Sequence, residues 1–367
     1  MAGNSLQAKK AVALLRSLER VWGIDWPPRL DILVRINRPL GFIVAERRLR
    51  ARDSLGFLVY IVRKEGVPTG KVAVDISRRL GARAYPLGLK DADAIAYQYI
   101  IVESTPEGPP DRIEGEGYTA WLVGRRAKAP TTGAHLWNNF RLHITVEAGD
   151  PHEFCRALRS ALVPGFYGPQ RFGVRRPTTH IYALYSLLPE PGRLLAEYAY
   201  KYPLEGDKPY AYEARILEKA RAKGDPLLPL REPPSSSVVR DALQSYIWNR
   251  ALSQVLDKQG YPVVYEKKSR ALCPEERRVL LARLPSRALL SSRHEWARIV
   301  RRVIRWEGLP GYVLPGKAPM RPLVAEPCRI SCRVSSRNSL VSWITLPRGL
   351  YATSAIRAVS FVNWLNL

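Results

Sequence analysis

The stretch Gly88-Leu89-Lys90-Asp91-Ala92-Asp93-Ala94-Ile95-Ala96-Tyr97-Gln98 puts a lysine-aspartate pair in a loop that runs straight into an apolar segment. The segment Ile95–Val102 is rich in β-branched and aromatic residues and predicts a strand. Asp91 therefore sits where a loop presents side chains at the end of a rigid element. A Lys-Asp pair alone most often marks a solvated surface turn. What raises this one above that reading is its setting in the rest of the chain.

Upstream, Ile32–Ile36, Phe42–Glu46 and Phe57–Val62 are short strand-like runs separated by Pro and Gly. Thr69 is expected to N-cap a helix with the stripe Val72, Ile76 and Leu80. Downstream, Phe140–Val146 reads as a strand. A helix follows, with Asp150 as its cap, Pro151 at the first position, Glu153 completing a capping box and Pro164 just past its end. Beyond about residue 174 the pattern turns helical, although Tyr182–Leu188 fits either a strand or a helix start. Val239, Leu243, Ile247, Ala251 and Val255 form one stripe, closed by Gly260. Ser292–Trp306 carries Trp296, Ile299, Val300 and Val303 on one face. Its other face holds Arg298, Arg301, Arg302 and Arg305, which suit solvent or a polyanion equally. Ser342–Ala352 returns to strand chemistry. Strands, a helical block and a terminal strand predict an α+β fold interrupted by a mostly helical insertion.

The chain has 367 residues, 46% of them hydrophobic, which is ample for two cored domains. Its net charge of +25 is far from ordinary and points to a polyanion, nucleic acid first. No lipidation motif supports an anionic membrane surface as the partner instead. The first residues read as an amphipathic helix, since the longest apolar run there, Ala11–Leu15, is followed at once by Arg16. No apolar run is long enough to span a bilayer, so a cytoplasmic protein is expected. The four cysteines are Cys155, Cys273, Cys328 and Cys332. Only Cys328 and Cys332 lie close, with no second ligand pair, so a zinc site is not expected and reduced thiols are. Abundant proline and an excess of Arg over Lys lean towards a thermophile.

Further stretches lie in order around the Gly88–Gln98 segment. They are Pro39-x-x-Phe42-x-Val44-x-Glu46, Arg63–Thr69 (RKEGVPT) with Lys64, Asn138-x-Phe140, Gly165–His180 (GFYGPQRFGVRRPTTH), Ala242–Asn249 and Leu346–Thr353 (LPRGLYAT). Together they resemble the motifs of the TruD family of tRNA pseudouridine synthases over roughly residues 38–357. Within that resemblance, Gly88–Gln98 matches the active-site motif, with Asp91 and Gln98 at the family's spacing.

The resemblance implies the pseudouridine-synthase α+β catalytic domain with a central mixed sheet. That domain would comprise residues 1–164 and 322–367, interrupted by an insertion domain at 165–321. It implies isomerisation of a uridine in tRNA, with Asp91 as catalytic carboxylate and no cofactor or metal, in a protein expected to be a monomer. Phe140 would stack on the flipped base, although a strand-heading Phe is equally a core residue. Asn138 would orient Asp91 or the uracil edge. Lys64 would contact a phosphate or carboxylate, while Lys90 would be the cationic neighbour of Asp91. Gln98, Gln170 and Arg171 complete the expected substrate-binding set, with Arg175 and Arg176 adding phosphate contacts. His180 is expected to be a structural hydrogen-bonder. Ala92 and Asp93 stand where the family usually has basic residues. Other departures are Trp137 for a Gly, Gly41 for an acid and Ala358 for a Glu. The competing readings are a non-catalytic RNA-binding protein on the same scaffold, which Asp91 argues against, and a methyltransferase, which would need a Gly-rich cofactor loop that is not found.

Overall fold

The computed structural model describes residues 2–46, 49, 56–103, 108–127, 137–173, 179–185, 218–219, 222–225, 228, 235–271 and 277–364. Arg175, Arg176 and Cys273 lie outside the described residues. The large sheet runs in the order β13 (Arg329–Ser336), β14 (Ser339–Pro347), β8 (Trp137–Ala148), β2 (Phe42–Glu46), β5 (Ile95–Val102), β3 (Phe57–Lys64), β7 (Tyr118–Arg126), β6 (Arg112–Gly115). Three short strands join it. β1 (Leu33–Ile36) pairs with β8 and β15 (Phe361–Val362), while β4 (Ala84–Pro86) pairs with β5. β2–β5 and β1–β15 are parallel and the other pairs antiparallel, so the sheet is mixed, as the α+β expectation has it.

β8 shows why this sequence makes this sheet. Its even-numbered residues Asn138, Phe140, Leu142, Ile144 and Val146 are buried, whereas Asn139 and Arg141 are exposed. That period of two fixes the register, because a one-residue slip would expose the whole apolar set. The buried side is covered by α3 (Pro151–Arg159) and α8 (Ala352–Val359), whose Phe154, Leu158, Ala355 and Ile356 join the same core cluster. α2 (Thr69–Leu80) covers β3 and β5 through Val72, Ala73 and Ile76.

α3 begins as expected, the Asp150 carboxylate accepting from the amides of His152 and Glu153 with Pro151 at the first position. Three other expectations are corrected. Thr69 lies inside α2 and Pro68 occupies the cap position without a side-chain hydrogen bond, because the Thr69 hydroxyl is engaged elsewhere. The stretch Ser342–Ala352 is strand only to Pro347, and α8 begins at Ala352. α5 (Ser235–Val255) ends before the Asp257–Gly260 turn. It buries more than one stripe: Tyr246, Ile247, Trp248 and Asn249 are consecutive buried residues.

Trp248 meets Trp296 of α7 (Glu295–Trp306) edge to face, with centroids 5.3 Å apart. The remaining described helices are α1 (Ala2–Val21), α4 (Thr179–Tyr185) and α6 (Arg287–Leu290). Also unexpected is a second sheet, β10 (Lys267–Ala271), β11 (Arg277–Arg283), β12 (Met320–Ala325) and β9 (Val163–Pro164), which ties strands of the helical block to the segment that precedes it. On α7, Arg298 pairs with Glu295 and Arg301 donates to the carbonyls of Leu290 and Ser292, while Arg302 and Arg305 are exposed.

The thiol expectation is also corrected. Cys155 on α3 and Cys332 on β13 form a disulfide with Cα atoms 5.3 Å apart, across 177 residues of sequence, and Cys328 is likewise disulfide-bonded. The pairing follows from α3 packing on β13, which no local spacing announces. Cys328 and Cys332 are therefore not a ligand pair. No helix among the described residues is long and apolar enough to cross a membrane.

Candidate active site

The loop after β4 is clamped at four successive residues. Lys90 N donates to Thr69 Oγ1 at 3.1 Å, and the Lys64 ammonium donates to the Asp91 carbonyl. Gly66 N donates to the Ala92 carbonyl at 3.1 Å, and Arg38 Nη1 donates to the Asp93 carbonyl at 3.0 Å. The strand end of β3, the start of α2 and the turn before β2 thus hold one short loop from three sides. A loop backbone fixed this way keeps its geometry without help from a ligand.

The Asp91 side chain is 35% exposed, and its Oδ2 lies 3.5 Å from Arg38 Nη1. Arg38 is itself buried, with its guanidinium carbon 4.0 Å from the Phe42 ring centroid. Burial pushes the Arg38 guanidinium below its ordinary range, and the Asp91 carboxylate pulls it back up. Arg38 was not singled out from the sequence. Its only signal was position, one residue before the motif that opens at Pro39.

Asp91 opens onto a cleft of about 330 Å³ walled by Arg38, Phe42, Asn138, Phe140, Gln170 and the Arg348–Thr353 segment, among others. Phe140 is 9% exposed and meets Phe42 edge to face with centroids 6.1 Å apart. It is at once the edge of the core and part of the cleft wall, so the two readings of it do not exclude each other. Asn138, nearly buried on the same strand face, has an Oδ1 with no hydrogen-bond partner in the structure. A buried acceptor without a partner costs free energy, and Asn138 is one of the residues that line the cleft.

Several expected contacts are redirected. Lys90 turns away from Asp91 and pairs with Glu46 at 2.6 Å, while the other Glu46 oxygen accepts from Tyr99 N. The cation beside Asp91 is Arg38 instead. Lys64 is fully buried, donating to the carbonyls of Val67 and Asp91, so it cannot reach a phosphate. Burial pushes its ammonium down to about 8, against the upward pull of Asp91. Gln98 is buried beneath the loop, its Oε1 accepting from the Thr69 hydroxyl at 3.0 Å.

Gln170 reaches the cleft, but its neighbour does not. Arg171 donates to Ser245 Oγ and pairs with Asp241 on α5, both at 3.0 Å. The surrounding Gly165–Phe172 segment is pinned by α5 as well. Asn249 accepts from Tyr167 N and donates to the carbonyls of Tyr167 and Trp22, while Trp248 Nε1 donates to Gly165 O. His180 lies between Phe172 and Tyr246, with its Nε2 2.6 Å from the Val21 carbonyl. Burial pushes its imidazole down to about 4. Gly41 also has a steric reason, because a Cβ there would collide with the Asn37 carbonyl.

Fold and site together define an α+β protein whose mixed sheet supports a clamped carboxylate loop at the mouth of a polar and aromatic cleft. The family model described as tRNA pseudouridine synthase D (TruD) matches residues 35–236, and the chain belongs to the TruD family. A protein of Sulfurisphaera tokodaii named "Probable tRNA pseudouridine synthase D" is 26% identical, over 92% of this chain and 95% of its own length. One of the same name from Methanopyrus kandleri is 27% identical, over 74% of this chain and 76% of its own length. The fold also resembles a crystal structure from Methanosarcina mazei described as "Putative tRNA pseudouridine synthase D (TruD)". The TM-score is 0.55 at 20% identity, covering 94% of this chain and 95% of that one.

Proposed function

We propose that this chain isomerises a uridine of tRNA to pseudouridine, with Asp91 as the catalytic carboxylate. The observation that carries the reading is the partly exposed Asp91 side chain, held on a four-point clamp beside Arg38 and facing a cleft that contains Phe140 and Asn138. Family membership and the names of the relatives support the reaction class and the tRNA substrate.

The reaction breaks the bond between ribose and a uracil nitrogen, turns the base and rejoins it through carbon. No atoms are gained or lost, and no cofactor is expected. A carboxylate is the one group the chemistry demands, as nucleophile or as base. A stacked uridine is out of reach, so the base must be flipped into the cleft. Phe140 supplies an apolar wall for it, and the Asn138 carboxamide at the same wall can pair with a base edge. Arg38 orients Asp91, and Gln170 is part of the cleft wall. Lys64 and Gln98 act beneath the loop, positioning it without touching RNA, and Lys90 ties the loop to Glu46 on β2.

We assign the catalytic unit to residues 1–164 and 322–367 and the insertion to 165–321, with a cytoplasmic monomer as the working form. The test is to incubate the purified protein with unmodified tRNA and map pseudouridine at nucleotide resolution. One or a few uridines should convert without added cofactor. Tight binding of tRNA with no conversion of any uridine would replace the enzyme by an RNA-binding protein on the same scaffold.

A further inference from the structure

We propose that the exposed patch of the large sheet centred on Trp343 is a second RNA-contact surface that holds an unpaired stretch of the substrate away from the Asp91 cleft. The proposal rests on the RNA reading above and adds a place where that RNA is gripped.

α3 and α8 cover only one side of β8, β14 and β13. Side chains alternate across a sheet, so the odd-numbered residues of these strands face the other way. Trp343 lies in register with Ser331 on one side and Arg141 on the other. Arg329 and Arg333 occupy the diagonal positions on β13. Arg141, Arg329, Ser331, Arg333 and Trp343 are all exposed, Trp343 to 43%. The Arg141 guanidinium carbon sits 5.9 Å from the Trp343 ring centroid. Trp343 and Arg329 also form part of the wall of an adjoining groove of about 710 Å³.

Charge identifies the occupant. No residue facing this way on β13, on β14, or on β8 as far as Thr145 is acidic, while three are arginines. A protein-docking face would be expected to be richer in apolar side chains. Here one well-exposed ring has Ser331, Thr345, Asn139, His143 and three arginines around it, with Val341 as its apolar neighbour. That is the composition that stacks one splayed base and holds the flanking phosphates. The position fits an extended substrate. β14 runs from Trp343 towards Arg348, which walls the cleft. The five residue steps from Trp343 to Arg348 span roughly 17 Å of extended chain, a reach that tRNA covers easily.

The experiment uses full-length protein and a tRNA transcript that the wild type converts. Trp343→Ala should weaken tRNA binding about tenfold and leave the single-turnover rate at saturating RNA unchanged, and Trp343→Phe should restore most of the affinity. Arg329→Gln with Arg333→Gln should lower the slope of log affinity against log salt by about one to two. A 4-thiouridine-substituted transcript should cross-link to the peptide bearing Trp343. Unchanged affinity and salt slope in variants that melt like the wild type would overturn the proposal. So would an affinity loss accompanied by a change in oligomeric mass and no cross-link, which would make the face a contact between copies of the chain. A wild type that neither binds nor converts tRNA would bring down the functional reading itself, whereas a converting wild type with indifferent variants brings down this surface alone.

Discussion

Arg38 Nη1 lies 3.5 Å from Asp91 Oδ2 and 3.0 Å from the Asp93 carbonyl oxygen, so one buried cation fixes the side chain of one aspartate and the backbone two residues on. The same guanidinium rests on Phe42, which in turn meets Phe140. Carboxylate, cation and cleft wall therefore form one contiguous unit, and disturbing any member should be felt at the others.

Arg38→Gln should accordingly lower the single-turnover rate by about one to two orders of magnitude while tRNA affinity changes little. Arg38→Lys should recover part of the loss, since charge is kept but the guanidinium's several donors are not. Single-turnover conversion with parallel gel-shift binding separates the two. Equal losses of rate and affinity in both variants would mean that Arg38 acts on RNA and not through Asp91.

His180 predicts a pH dependence of stability. The unfolded imidazole takes its proton near 6.5, but burial holds the folded one down to about 4. Between those values the unfolded chain binds more protons. The contribution is therefore complete above pH 6.5 and is lost as pH falls towards 4, on the order of 3 kcal/mol in all. Denaturant titrations of wild type and His180→Gln across this window should give a difference that shrinks towards low pH. A flat difference would place His180 in contact with solvent.

The Cys155–Cys332 bridge ties α3 to β13 across 177 residues. Replacing both cysteines by alanine should cost about 2–5 kcal/mol of stability, read as a lower denaturation midpoint. The pseudouridylation rate at 25 °C should be unaffected, because the bridge lies on the core side of β13 and neither cysteine walls the cleft. Quantitative labelling of both thiols in the native, unreduced protein would show the bridge to be absent.

Local grammar was readable in the sequence and tertiary grammar was not. Asp150 and Pro151 announce α3 because a cap and a first-turn proline act within three residues. Gly88–Gln98 could be tied to a site because its chemistry and spacing are contiguous. The Cys155–Cys332 pairing and the buried ion pair of Arg357 with Glu19, 338 residues apart, depend on chain paths no local pattern reveals. Lys90 was expected beside Asp91 because sequence neighbours look like spatial ones. Successive side chains of an extended loop point apart, and Lys90 found Glu46 on β2. Thr69 resembled a cap because its hydroxyl suits one, yet Lys90 and Gln98 claim it.

Phe140 walls the cleft and also packs on Phe42. Phe140→Ala should cut turnover strongly, and it should also lower stability by about 3 kcal/mol or somewhat less, since one side of the ring is already open. Phe140→Tyr should keep much of the activity, because the ring is retained. Activity per folded molecule, with the folded fraction taken from circular dichroism, distinguishes the roles. If Phe140→Ala unfolds easily but turns over normally where folded, the ring serves the core alone.

The sharpest expectation concerns Asp91 and its neighbour two residues on. Asn is nearly isosteric with Asp, but its amide can serve neither as a nucleophilic carboxylate nor as an effective base at neutral pH. Asp91→Asn should abolish pseudouridine formation, leaving folding and tRNA affinity near wild type or slightly tighter for the loss of one negative charge. The backbone clamp supports this separation, since the Lys64 bond goes to the Asp91 carbonyl and survives the change. Asp93 is the internal control, because Arg38 holds it through its carbonyl and, among the described residues, its carboxylate makes no hydrogen bond. Asp93→Asn should therefore convert uridine at close to the wild-type rate. The measurement is single-turnover conversion of a radiolabelled transcript, with the melting temperature and gel-shift affinity of each variant alongside. Normal conversion by Asp91→Asn, or loss of conversion confined to Asp93→Asn, would move the catalytic carboxylate away from Asp91 and leave the Arg38 contact as a structural ion pair.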